Sequence, residues 1–169
     1  MIRLLGSLCL AGGGAFWGFS TAAQLSRKIR ALEEITQGLH LLEQELEWSA
    51  PELHLLVRRL REESRGASRE LFSAFESLVE QDHPPAIRSC WEQAVDTLQE
   101  LPREARWYLT GVGEVLGRFE AREQRASIRK TREQLELLGR QLRETYRIQG
   151  KLLRTIGLSG GAFLAILLI

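Results

Sequence analysis

Apart from Arg3 and the amino terminus, both ends of this chain are stripped of charge, and that constrains it more than anything between them. From Leu4 to Leu25 run 22 residues without a charged side chain, and from Thr155 to Ile169 another 15. At about 1.5 Å rise per residue, a helix over the first stretch matches the roughly 30 Å hydrocarbon core of a bilayer. The second stretch is shorter than the roughly 17–25 residues of a usual span. Leu152 and Leu153 extend it, with Arg154 snorkelling toward the headgroups. Three segments are therefore expected: a membrane helix over 1–25, a soluble body over 26–154 and a short membrane helix over 155–169.

A cleaved leader is the competing reading of the N-terminus, because Thr21-Ala22-Ala23 offers small residues of the cleavage type. The flanking charges favour a retained anchor. Arg27, Lys28 and Arg30 follow the first apolar segment, and Arg147, Lys151 and Arg154 precede the second. By the positive-inside rule the middle faces the cytoplasm and the termini lie outside. Each apolar segment also carries small residues four apart: Gly14, Gly18 and Ala22 in the first, Gly157, Gly161 and Ala165 in the second. Such stripes let helix backbones approach closely in lipid, although glycine is common in membrane helices generally. Gly14, Gly18, Gly157 and Gly161 are thus the candidate positions for membrane-helix packing.

The middle reads as helix throughout. Leu25, Leu32, Leu39 and Leu46 recur every seven residues with Ile35 and Leu42 between them, an apolar stripe about 100° wide. Ser49-Ala50-Pro51-Glu52 has the form of a capping box opening a second helix with Leu53, Leu56, Val57 and Leu60 on its buried face. Gly66 is expected to stop that helix, and Ser68 to cap a third carrying Leu71, Phe72, Phe75, Leu78 and Val79. Asp82-His83-Pro84-Pro85 breaks the chain, since proline cannot continue a helix that precedes it. A fourth helix then buries Ile87, Trp91, Ala94, Val95 and Leu98. Pro102 marks a further boundary, and a fifth helix carries Trp107, Tyr108, Val112, Val115 and Leu116 up to Gly117. In the last pattern Ile128, Leu135, Leu138, Leu142, Leu152 and Ile156 follow steps of three and four. No proline lies beyond Pro102, so this helix is expected to run unbroken into the membrane segment. No stretch alternates with period two, so the fold class is all-α: a bundle of about six helices tethered at both ends.

Charge excludes some functions and leaves others open. The chain totals 23 basic and 22 acidic residues, and a net charge of +1 gives no case for a nucleic-acid partner. Two cysteines, Cys9 and Cys90, cannot build a disulfide framework. Yet residues 26–100 hold 9 bases against 15 acids, a balance of −6, while residues 101–154 hold 13 against 7, a balance of +6. Either the two halves face each other within one molecule, the commoner arrangement, or they form complementary patches for ordered assembly. Arg118, Arg122, Arg125, Arg129, Lys130 and Arg132 concentrate the positive charge. They read as a solvated helix face or as contact for an acidic partner protein, with no interleaved aromatics of the kind that stack nucleobases.

No catalytic constellation stands out. His40, His54 and His83 are scattered, without His-Glu-x-x-His or Cys-x-x-Cys spacing for a metal. Gly12-Gly13-Gly14 lies inside an apolar segment with no lysine after it, so it is not a phosphate cradle. Cys90 beside Trp91 reads as a small buried apolar residue, and the four tryptophans as core or membrane anchors. No cofactor, metal or enzymatic activity is expected.

The arrangement as a whole resembles the stage III sporulation protein AB family of endospore-forming bacteria. The shared features are the N-terminal span, the helix containing Pro51, the Trp91 helix, Leu116-Gly117 with Gln124 beyond it, and Gly157 with Gly160-Gly161 before an Ile/Leu-rich end. The family shows a Leu-Gly-x-Ser/Thr-Asp-x-x-x-Gln pattern, where this chain has Phe119 and Glu120 in place of the hydroxyl residue and the aspartate. The family is similar to the cytoplasmic domains of the inner-membrane platform protein of type II secretion. The resemblance implies a scaffold in the mother-cell membrane around the forespore, within a secretion-like channel of stage III sporulation proteins that includes a secretion-type ATPase. Arg118, Glu120, Arg122, Gln124 and Arg125 are the candidate partner-binding positions, and self-association is the other contact expected. The alternative is a membrane-anchored helical sensor or signalling adaptor, but the short ends leave no room for an extracytoplasmic ligand domain.

Overall fold

The computed structural model describes residues 2–48, 52–116 and 121–168, with side chains over 23–47, 52–116 and 122–148. Six helices follow one another: α1 (Ile2–Trp48), α2 (Leu53–Glu63), α3 (Gly66–Val79), α4 (Ile87–Thr97), α5 (Arg103–Val115) and α6 (Ala121–Leu168). Among the described residues there is no strand. The count of six includes both end helices, because α1 and α6 each continue as one helix from the apolar termini into the charged middle. Among the described residues no helix is long and apolar enough to cross a membrane. The expected spans fall almost wholly on residues whose side chains lie outside the described set, as do Gly14, Gly18, Gly157 and Gly161.

The chain forms two compact units, one of residues 1–27 with 140–169, the other of residues 28–139. In the first unit Leu25 and Leu142 are half-buried, Tyr146 and Ile148 are exposed, and Arg147 pairs with Glu144 at 3.5 Å. In the second unit the leucine stripe of α1 does what its spacing dictates. Leu32, Ile35, Leu39 and Leu42 are buried, with Leu56, Val57 and Leu60 of α2, Leu71, Phe72 and Phe75 of α3, and Ile128, Leu135 and Leu138 of α6.

Trp91 of α4 anchors that core at 1% exposure. Phe75 meets it edge-on at 5.3 Å between ring centroids, and Phe72 lies tilted at 6.5 Å. Its indole N–H donates to the Leu109 carbonyl of α5 at 2.7 Å, so a buried polar atom finds a partner inside apolar surroundings. Gly113, one turn on, lets α5 come close enough for this bond: a Cβ there would sit 2.8 Å from Trp91 Cδ1.

Three local expectations are corrected. Gly66 opens α3 instead of stopping α2; it has φ +53°, a left-handed conformation open to glycine at little cost. The space a Cβ would fill there is taken by the Glu34 carboxylate of α1, which accepts the Ala67 N–H at 2.8 Å. One of the free N–H groups in the first turn of α3 is thus satisfied from another helix. Ser68 is buried and donates to the Arg65 carbonyl at 2.9 Å, so it is not the N-cap. The N-cap of α2 is Glu52, which makes no side-chain capping bond; Ser49, Ala50 and Pro51 lie outside the described residues.

Candidate partner-docking site

The positive charge of α6 is divided between internal pairing and solvent. Glu43 of α1 is buried at 5% exposure, and one of its oxygens takes Arg129 Nη2 at 2.6 Å while the other stands 3.5 Å from Arg132 Nε. Arg125 pairs with Glu47 at 3.3 Å, and Arg59 of α2 with Glu45 at 3.4 Å. The hydrogen bond from Arg129 to Glu43, and then the carboxylate's charge, push the guanidinium's affinity for its proton up further. A second buried acid, Glu76 of α3, is held by Arg61 at 2.7 Å. The acidic and basic halves of the chain therefore meet inside the second unit along α1 and α6. Sequence spacing gave no sign that Glu43 and Glu76 are buried, because each takes its partner from a different helix.

The candidate partner-binding positions separate accordingly. Arg125 is engaged with Glu47, and Gln124 also makes an interaction of its own. Arg122 is exposed and makes no ion pair among the described residues, whereas Arg118 and Glu120 lie outside them. Lys130 likewise is exposed without an ion pair among the described residues, although Arg129 and Arg132 beside it are paired.

The surface feature that periodicity missed is Trp107. Expected in the core or at a membrane, it is 71% exposed on α5, and the buried face of that helix is instead Ala105, Leu109, Val112 and Gly113. Its ring meets Tyr108 edge-on at 5.3 Å. The Tyr108 hydroxyl donates to Glu104 at 3.2 Å, and desolvation followed by that carboxylate raises its pKa. Both rings border a groove of about 370 Å³ between α5 and α6, with Gly111, Ser127, Lys130 and Gln134 among its other walls. The placement was legible only in the register: Ala105, Leu109, Val112 and Leu116 make a better buried stripe than one through Trp107.

No group of three or more metal-ligating side chains occurs among the described residues. His54 stands 3.6 Å from Glu52, His83 is exposed between α3 and α4, and His40 borders a second groove of about 380 Å³ with Gln37 and Arg132. Cys90 is fully buried, and burial pushes its thiol pKa up, opposite to what a reactive cysteine needs.

The described residues define an all-α protein with a cored helical body. The family model described as stage III sporulation protein AB matches residues 3–169, and the chain belongs to that family. Stage III sporulation protein AB of Bacillus subtilis (strain 168) is 24% identical over 172 residues, covering 99% of each chain. A solved structure of a stage III sporulation protein AB superposes with a TM-score of 0.63 at 21% identity, covering 72% of this chain and 97% of its own. Its likeness is one of fold. Neither relative's name states an enzymatic activity.

Proposed function

We propose that this protein is a non-enzymatic platform of endospore formation, anchored in the mother-cell membrane around the forespore, and that it docks a secretion-type ATPase and neighbouring membrane subunits. The observation that carries the reading is the whole-length family match joined to the architecture: one cored helical body, and two long helices that hold the uncharged runs 4–25 and 155–169. The proposed organisation is a membrane helix over 1–25, a cytoplasmic bundle over 26–154 and a membrane helix over 155–169. Positive charge on both inner flanks supports the cytoplasmic side for the bundle.

The start of α6 is the proposed ATPase contact. Arg122 is the better probe than Arg125, whose guanidinium is occupied by Glu47. The test is copurification from membranes of sporulating cells. A secretion-type ATPase is expected with the wild-type chain and is expected to be depleted by Arg118→Glu with Arg122→Glu, with the thermal midpoint unchanged. Absence of any ATPase from the wild-type preparation would overturn the platform reading.

A further inference from the structure

We infer that the charged part of the first unit, Arg27 with residues 140–154, is a binding site for the headgroups of anionic phospholipids. The inference rests on the membrane anchoring proposed above and adds to it a preference for one class of lipid.

Charge in this protein divides by unit more sharply than by sequence half. Residues 1–27 with 140–169 hold seven bases against one acid, Glu144, whereas residues 28–139 hold 16 bases against 21 acids. An anionic surface thus attracts the first unit and repels the second. Six of the seven bases, Arg27 and five on α6, lie between the two uncharged runs. Arg140 and Arg143 make interactions of their own, and without them four bases still stand against Glu144.

Spacing is a second observation. Arg140, Arg143, Arg147, Lys151 and Arg154 recur at steps of three and four along α6. On a helix that is one face, about 80° wide and about 21 Å long. Orientation in a membrane needs only an excess of bases near the spans and does not need them on one face. From Arg140 to Ile148 every residue but Leu142 is exposed, and Leu142 lies across the helix from the cationic face. The ion pair of Arg147 with Glu144, 3.5 Å long and exposed, competes only weakly with another anion.

Apolar groups complete the site. Tyr146 and Ile148 are 41% and 51% exposed and flank the cationic face. A tyrosine beside bases matches the aromatic belts of membrane–water interfaces. Measured along the helix from the uncharged run, Arg154, Lys151 and Arg147 fall within about 12 Å. Arg143 and Arg140 follow within about one further Debye length, close enough to feel the surface potential.

The test reconstitutes the full chain into phosphatidylcholine vesicles, probed with spin-labelled phosphatidylglycerol and, separately, with spin-labelled phosphatidylcholine. The motionally restricted fraction of each probe reads which headgroup the protein holds. The anionic probe is expected to be enriched about fivefold, the equivalent of one base acting near the surface. The preference is expected to fade between about 0.05 and 0.5 M salt. It is expected to be largely lost with Arg143→Gln and Arg147→Gln together. Arg65→Gln with Arg69→Gln, both exposed in the second unit, is expected to retain it. Equal restriction of the two probes would overturn the inference and leave the anchoring intact. So would a preference indifferent to salt, one lost equally in the Arg65 and Arg69 variant, or one abolished by inorganic phosphate at matched ionic strength. A chain that restricts neither probe would overturn the anchoring and this inference together.

Discussion

Alanine substitution at Gly111 and at Gly113, one at a time, turns the packing around Trp91 into a signed measurement. The two glycines are two residues apart in α5 and share its backbone geometry, so both substitutions gain about 1 kcal/mol of helix propensity. At Gly111 that gain stands alone, since the new methyl meets no atom within 4 Å. At Gly113 the methyl would stand 2.8 Å from Trp91 Cδ1 and 3.1 Å from its Cβ and Cγ. The indole cannot retreat, because its N–H is fixed on the Leu109 carbonyl and its ring is packed against Phe72 and Phe75. Overpacking of this kind costs about 1–3 kcal/mol, which leaves Gly113→Ala about 1 kcal/mol less stable than wild type and about 2 kcal/mol below Gly111→Ala. At roughly 2–4 °C per kcal/mol for a chain of this size, the two variants should melt about 4–8 °C apart. Thermal unfolding of the full chain in micelles, followed by near-ultraviolet circular dichroism, reads the difference directly. A Gly113→Ala variant as stable as Gly111→Ala would refute the close packing of α5 on Trp91.

Gly66→Ala is expected to cost about 2 kcal/mol, from the left-handed backbone and the displaced Glu34 cap, and Glu34→Ala about 1 kcal/mol. The double variant should cost less than the sum, as urea titration would show, because removing the carboxylate vacates the space the methyl needs. Glu43→Gln should lower the thermal midpoint several-fold more than Glu47→Gln, since Glu43 is buried between two arginines and Glu47 is exposed. Cys90 should resist alkylation in the native chain at mildly alkaline pH and react at once on unfolding. Its raised thiol pKa leaves stability unaffected well below the ordinary thiol range, then removes stability as pH rises through that range, because the unfolded chain ionises first. Urea midpoints of wild type and Cys90→Ala across that range would reveal this contribution.

What could be read from residues alone was whatever depends on local periodicity. The stripe through Leu32, Ile35, Leu39 and Leu42, the break at Pro84-Pro85 and the uninterrupted last helix follow from 3.6-residue spacing and from proline's missing donor. Features that depend on a second helix were not legible. Gly66 looks like a stop signal until Glu34 is seen occupying its side-chain space, and no rule of spacing joins residues so far apart. Glu43 and Glu76 look like solvent-facing acids until their arginines arrive from α6 and α2. Trp107 reads as a core residue or membrane anchor because tryptophan is highly buried on average; the register of α5 places Ala105 and Leu109 inside and leaves Trp107 on the groove. The groove is thus a tertiary property that composition pointed away from.

The proposed platform requires the helical body to lie on the cytoplasmic side of a membrane. A cysteine introduced as Glu62→Cys, at an exposed position of α2, in a chain with Cys9→Ser and the buried Cys90 retained, reports that side through a membrane-impermeant maleimide. The account predicts no labelling in intact cells and full labelling once the membrane is opened. Labelling of intact cells to the same extent would place the body outside and contradict it.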